Sequence, residues 1–271
     1  MKVAVTCINL FFLLGSLVLL VFIVLSGSSK HYPLNKFYWL EADTTNIPNA
    51  PGNRSAWTFW GVCDKNDFSN CLVGPAYPIS PPDNFETSEN IPEDFLNNDT
   101  TFFYLSRFSF AFCLIALGFT GLAFIIDILG FCFEIIDKVA IVLISFALLF
   151  MAGFAAMQTA VTVLAKNAFS NADRYAHIGA KSMGLLWAAF VCLVICWFLT
   201  FAANIANSYR KHMARVNGEK GDQVPISGPL GDESSFTRTA QPPVVKDDDN
   251  TGGIRFFKIK RNQKVADDES V

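Results

Sequence analysis

Histidine is scarce in this chain. His31, His177 and His212 stand in three separate regions, without the paired spacing that a zinc or catalytic site requires. The sequence also lacks a Gly-x-Ser-x-Gly elbow, a phosphate-cradling glycine loop and a Cys-x-x-Cys pair, which removes the usual signatures of hydrolases, nucleotide-binding enzymes and thiol oxidoreductases. Its long hydrophobic runs hold no Asp, Glu, Lys, Arg or His in their central parts. Ionisable groups inside a membrane mark proton and ion paths, so this absence argues against a pump or coupled transporter. Carboxylates are plentiful between residues 27 and 103, but no apolar pocket signal accompanies them, and a solvated acidic face is the expected role. The expectation is a chain that catalyses no reaction and takes no cofactor, metal or nucleic acid.

What the chain has in abundance is apolar surface. Over 271 residues it is 52% hydrophobic with 27 Phe, too apolar for an ordinary soluble domain. Runs at 5–26, 104–126, 139–164 and 182–205 are each long enough for a helix to cross the hydrocarbon core. The fold expected is an all-α membrane protein, a four-transmembrane-helix bundle. For the first run a cleaved signal peptide is the competing reading, with small residues at Ser26-Gly27-Ser28. Its apolar stretch exceeds the roughly 7 to 15 residues of a signal core, which favours a retained helix.

Four spans place residues 1–4 and the tail 206–271 on one side. Arg210, Lys211 and Arg215 just past the last span favour the cytosol for both termini. The loops 27–103 and 165–181 then face outward and 127–138 forms an inner turn. Gly118, Gly121, Ala152, Gly153, Ala155 and Ala156 would let helix backbones approach closely, while Asn9, Gln158 and Asn204 read as isolated polar residues.

The 27–103 loop concentrates the distinctive chemistry. It holds ten acidic residues against Lys30, Lys36, Arg54 and Lys65, about −6 in all. Cys63 and Cys71 are separated by a short polar run and can close a small ring at little entropic cost in an oxidising compartment. Sequons at Asn53-Arg54-Ser55 and Asn98-Asp99-Thr100 agree with an extracellular loop. Phe37 to Leu40 and Ala56 to Cys63 are strand candidates, and the prolines from Pro75 to Pro92 break regular structure in the rest of the loop. A small antiparallel sheet stapled by the cysteines is expected, with Trp57 and Trp60 among its core aromatics. Cys7 and Cys132, near the inner face, are candidates for S-palmitoylation. The tail is Gly-, Pro-, Ser-, Asp- and Lys-rich and reads as disordered, its Lys258, Lys260 and Arg261 being candidates for contact with anionic lipid.

Trp60-Gly61-Val62-Cys63 followed by Cys71 resembles the Trp-x-x-Cys…Cys signature of claudin-like four-span proteins, and Arg107 resembles the arginine those proteins carry at the outer edge of the second span. The blocks Phe37-Tyr38-Trp39-Leu40-Glu41-Ala42-Asp43-Thr44, Arg54-Ser55-Ala56-Trp57 and Ala76-Tyr77-Pro78-Ile79-Ser80-Pro81-Pro82-Asp83-Asn84-Phe85 are similar to those of the fungal Sur-seven/PalI group. That resemblance covers about residues 1–207. It implies a plasma-membrane protein of eisosome-associated cortical patches that supports membrane organisation, cell-wall integrity and sporulation. The partners it implies are membrane lipids, eisosome-type cortical proteins and homologous four-span proteins, with homo-oligomers left open. A PalI-like sensor of external pH or cations is the alternative, and a pore stands third. The 165–181 loop has no strong match to the claudin loop that seals cell contacts.

Overall fold

A computed structural model describes residues 2–29, 31–130 and 136–221. Four helices dominate it: α1 (Lys2–Val24), α4 (Asp99–Leu129), α5 (Ile136–Asn171) and α6 (Ala180–Gly221). Between α1 and α4 lie β1 (Leu40–Asp43), β2 (Arg54–Trp57), β3 (Gly61–Asp64), β4 (Cys71–Val73) and two short helices, α2 (Pro81–Phe85) and α3 (Glu93–Asn97). Between α5 and α6 lies β5 (Ala176–Ile178). The fold is the expected one: four helices long and apolar enough to cross a membrane, a small antiparallel sheet and a Cys63–Cys71 disulfide.

Each long helix buries a seam whose residues are spaced alternately by four and three. On α1 it is Asn9, Leu13, Ser16, Leu20 and Ile23; on α6 it is Ser182, Leu186, Ala189, Leu193, Cys196 and Thr200. On α4 the same rhythm runs from Phe102 through Ser106, Ser109, Cys113, Ala116, Thr120 and Ala123 to Asp127, and on α5 from Ala140 to Ala168. A repeat of 3.5 residues keeps one stripe facing its neighbour along a left-handed supercoil. The stripe is rich in Ser, Ala, Cys and Thr because lipid competes equally for apolar side chains, so close backbone approach has to supply the attraction. Gly153 illustrates it: a Cβ there would press into the Phe112 ring. The opposite faces carry large exposed side chains such as Phe11, Leu149 and Phe198, as lipid-facing surfaces do.

The sheet order is β4-β3-β2-β1-β5, with every neighbour antiparallel. β5 adds to β1 beyond β2, so both segments expected outside contribute to one sheet. This cap sits at the end of the bundle where α1 and α5 finish and α4 and α6 begin.

Several expectations need correction. Ala56 to Cys63 is not one strand: Thr58 turns the chain, its backbone N–H and hydroxyl donating to the Gly61 carbonyl at 2.8 and 2.9 Å. The proline-rich stretch does not stay irregular, because Pro81 starts a helix at N1, where its missing N–H costs nothing. The 165–181 segment is mostly helix and strand. Asp127 lies inside α4 and not in a turn, and α6 runs on to Gly221, carrying Arg210, Lys211 and Arg215 on helix where a disordered tail was expected. Asn9, Gln158 and Asn204 are not isolated. Asn9 donates to Asp127, Ser109 to Gln158, and Asn204 to the Thr200 carbonyl. Cys132 and the lysine- and arginine-bearing block Lys258, Lys260 and Arg261 lie outside the described residues.

Candidate functional site

The chain's distinctive residues gather in the cap and at its junction with the helices. β2 ends in Trp57, whose ring is fully buried against Phe85 of α2 and Phe169 of α5. Its Nε1 donates to Asn84 Oδ1 at 2.7 Å, so the indole's one polar atom is satisfied. Trp60, in the turn before β3, donates its Nε1 to the carbonyl of Val24 at 2.6 Å. A helix leaves its last four carbonyls without intrahelical donors, and Trp60 supplies one to α1 while its ring meets Phe110 of α4 edge-on. Trp39 and Phe59 extend the cluster to Phe110 and Phe154. Cap and bundle thus share one continuous apolar core.

Gly61 opens β3 at a backbone angle, φ +156°, that side chains rarely adopt, and a Cβ there would overlap the Leu72 carbonyl of β4. Gly61→Ala is expected to loosen the β3–β4 pairing and lower stability by about 1–3 kcal/mol, the range for overpacking. A fall in thermal midpoint for the detergent-solubilised protein would register it. Cys63 and Cys71 stand directly opposite each other across β3 and β4 and are bonded.

The charges of the sheet are braced. Glu41, 6% exposed on β1, accepts from Arg54 Nη1 and Lys65 Nζ, each at 3.4 Å. Both cations also lie over aromatic rings, Arg54 over Tyr175 and Lys65 over Tyr38. Burial, then the neighbouring Glu41, pushes the Tyr38 hydroxyl up to about 12, so it stays protonated. A carboxylate fully engaged by two cations is a clamp rather than a reactive group. Among the described residues no three His, Cys, Asp or Glu are placed to hold a metal ion.

Two carboxyls of the cap titrate in opposite senses. The Thr45 hydroxyl and backbone N–H hold Asp43 below the usual carboxylate range, whereas burial raises Asp83, which shares the Ser80 hydroxyl with Asp99. A depressed folded-state value contributes stability that is present above the unfolded pKa and lost as pH falls; a raised one is relieved by acid. Asp43→Asn is therefore expected to melt below wild type at neutral pH, with the gap closing below about pH 5. Thermal midpoints across pH would check this.

Of the remaining residues singled out in the sequence, Arg107 is exposed on α4 and lies over Phe103. Asn53 and Asn98 are exposed on the cap. Arg210 and Lys211 stand at the far end of α6, beside a second polar group. There Asn9 Nδ2 donates to Asp127 Oδ2 at 3.0 Å and Thr200 Oγ1 to Asn9 Oδ1 at 3.3 Å. Sequence reading missed this trio, together with Asn84, Glu41 and the β5 pairing. The seam rhythm, which sets Asn9, Asp127 and Thr200 in phase with their helices' buried faces, was the available signal.

Residues 5–199 match the model of the SUR7/PalI family. The chain is 73% identical over 272 residues to Protein SUR7 of Candida albicans, with both chains covered in full. It is 36% identical over 303 residues to Protein SUR7 of Saccharomyces cerevisiae, covering 100% of this chain and 98% of that one. It is also 30% identical over 272 residues to an uncharacterized plasma membrane protein of Saccharomyces cerevisiae, covering 95% and 88% of the two chains.

Proposed function

Because the chain belongs to the SUR7/PalI family, we propose that it is a non-catalytic organiser of plasma-membrane domains, of the furrow-like eisosome type, supporting membrane organisation, cell-wall integrity and sporulation. The observation that carries the reading is the shared core of cap and bundle. Trp60 holds the end of α1 while Trp57 packs on Phe169 of α5 and Phe59 on Phe110 of α4 and Phe154 of α5, so the cap is seated directly on the helices. Such a part can hold position between wall and membrane. The plasma-membrane location is supported by the name of one relative. In this reading the cap faces the wall, with Asn53 and Asn98 open to glycosylation, and both termini lie in the cytosol. In this reading Arg210 and Lys211 on α6 meet anionic lipid and cortical proteins, at about 1 kcal/mol per nearby cation, and Arg215 lies further along the same helix.

Imaging of the tagged chain tests it: static cortical patches that dissolve when the chain is deleted are expected, and a uniform, freely diffusing signal would sink the organiser reading. A PalI-like sensor is the second reading, favoured by the paired carboxyls of Asp83 and Asp99, which share the Ser80 hydroxyl at 2.7 and 3.0 Å. It predicts altered pH-dependent signalling on deletion together with a diffuse distribution.

A further inference from the structure

We propose that Asn53 carries an N-linked oligosaccharide, that Asn98 does not, and that the sugar is attached before the sheet closes. This assignment rests on the outward-facing cap of the preceding reading, and it decides between two matching motifs. In the finished fold both asparagines are exposed, so exposure alone does not choose. The chemistry is transfer from an oligosaccharyl polyprenyl diphosphate in the secretory lumen. Asn53 Nδ2 bonds to the anomeric carbon of the sugar as that carbon's bond to the diphosphate oxygen breaks. The polyprenyl diphosphate leaves with the electron pair, and the amide gives one proton to a base of the transferase.

Distance from the bilayer makes the choice. The transferase is membrane-bound and acts on chain that stands clear of the membrane. Asn53 has more than twenty residues between it and either flanking hydrophobic run, 5–26 and 104–126, whereas Asn98 is six residues from Tyr104. Six residues reach about 20 Å fully stretched and about 9 Å as helix. Helix is what forms there: α4 starts at Asp99 and continues without a break into the span, with Thr100 of the motif in its first turn. Asn98 Nδ2 is also engaged, donating to the Asp94 carbonyl at 3.1 Å. The run that follows thus draws this second motif down to the membrane.

The order of events follows from the third residue of the first motif. The motif requires a hydroxyl at that position, and the transferase must reach it. Ser55 is 0% exposed, stands opposite Ala42 of β1, and its Oγ lies 2.8 Å from Thr44 Oγ1. Once β1 and β2 join, that hydroxyl is out of reach. Asn53 stays outside, its backbone carbonyl accepting from the Thr44 N–H while its exposed side chain has room for a bulky group. Attachment therefore precedes strand pairing.

The test uses the full chain expressed in a fungal cell, its gel mobility read before and after an endoglycosidase that removes N-glycans. Wild type and Asn98→Gln are each expected to drop by one glycan, and Asn53→Gln and Ser55→Ala to show no drop. Ser55→Thr keeps the hydroxyl and should keep the drop. Because attachment comes before folding, the readout does not depend on whether a variant folds. A drop of two glycans in wild type, or a single drop lost in Asn98→Gln and kept in Asn53→Gln, would overturn the site assignment. Pulse labelling reads the timing: the shortest pulse should already show the glycan, and a bare precursor that gains it during the chase would overturn the order. If wild type shows no drop, the site assignment fails, and Tyr32→Cys, 80% exposed, separates the causes. Its labelling by a membrane-impermeant maleimide on intact spheroplasts would leave the outward cap standing, whereas a lack of labelling would remove that reading as well.

Discussion

Trp57→Ala is expected to cost about 3–5 kcal/mol, the range for truncating a fully buried large aromatic. The substitution empties a site closed on two sides by Phe85 and Phe169. It also strips Asn84 Oδ1 of its donor in a buried position. The two losses separate experimentally. Trp57→Phe keeps most of the apolar volume but not the N–H, so it should fall between wild type and Trp57→Ala, with Asn84's unmet acceptor accounting for about 1–3 kcal/mol. Thermal unfolding of the solubilised chain, followed by tryptophan fluorescence of the remaining indoles, would measure both. Equal stability for all three proteins would mean that the ring is not a keystone of the cap.

Cys63→Ser is the second large effect. The bond closes a ring with a sequence separation of 8, for which loss of chain entropy in the unfolded state predicts about 2.5 kcal/mol; native bridges of small secreted domains give about 2–5. Because Cys63 faces Cys71 across the β3–β4 ladder, the strands stay in register without the bond, and the loss should appear mainly as lowered stability. Cys71→Ser and the double substitution should match Cys63→Ser, since each removes the same link. Protease resistance of the cap and delivery of the chain to the cell surface are expected to fall together in all three. Normal surface delivery with an intact cap in Cys63→Ser would refute the staple.

Local chemistry was readable in the sequence where the signal was itself local. The hydrophobic runs, the Cys63 and Cys71 spacing and the aromatic character of Trp57 and Trp60 need only neighbours in the chain to be understood, and the structure puts a span, a bridge and a core where each was expected. The break at Thr58 was hidden because Ala56 to Cys63 is mostly apolar and aromatic, and a lone Thr suits a strand as well as a turn. Only Gly61 hinted at it. The β5 pairing escaped because three residues, Ala176, His177 and Ile178, carry too little pattern, and it is β1, far away in sequence, that makes them a strand. Asn9 and Asp127 meet across 118 positions, so each looked solitary until the helices were laid side by side. Arg107 could be placed by its resemblance, but its stacking on Phe103 could not.

The sheet's two boundary strands, β4 and β5, span three residues each, and β4 is tethered to β3 by a covalent bridge. Margins so brief offer a poor template for another chain's backbone, which is how strand-bearing proteins escape fibre growth. Backbone pairing between the caps of two copies is therefore disfavoured at either margin.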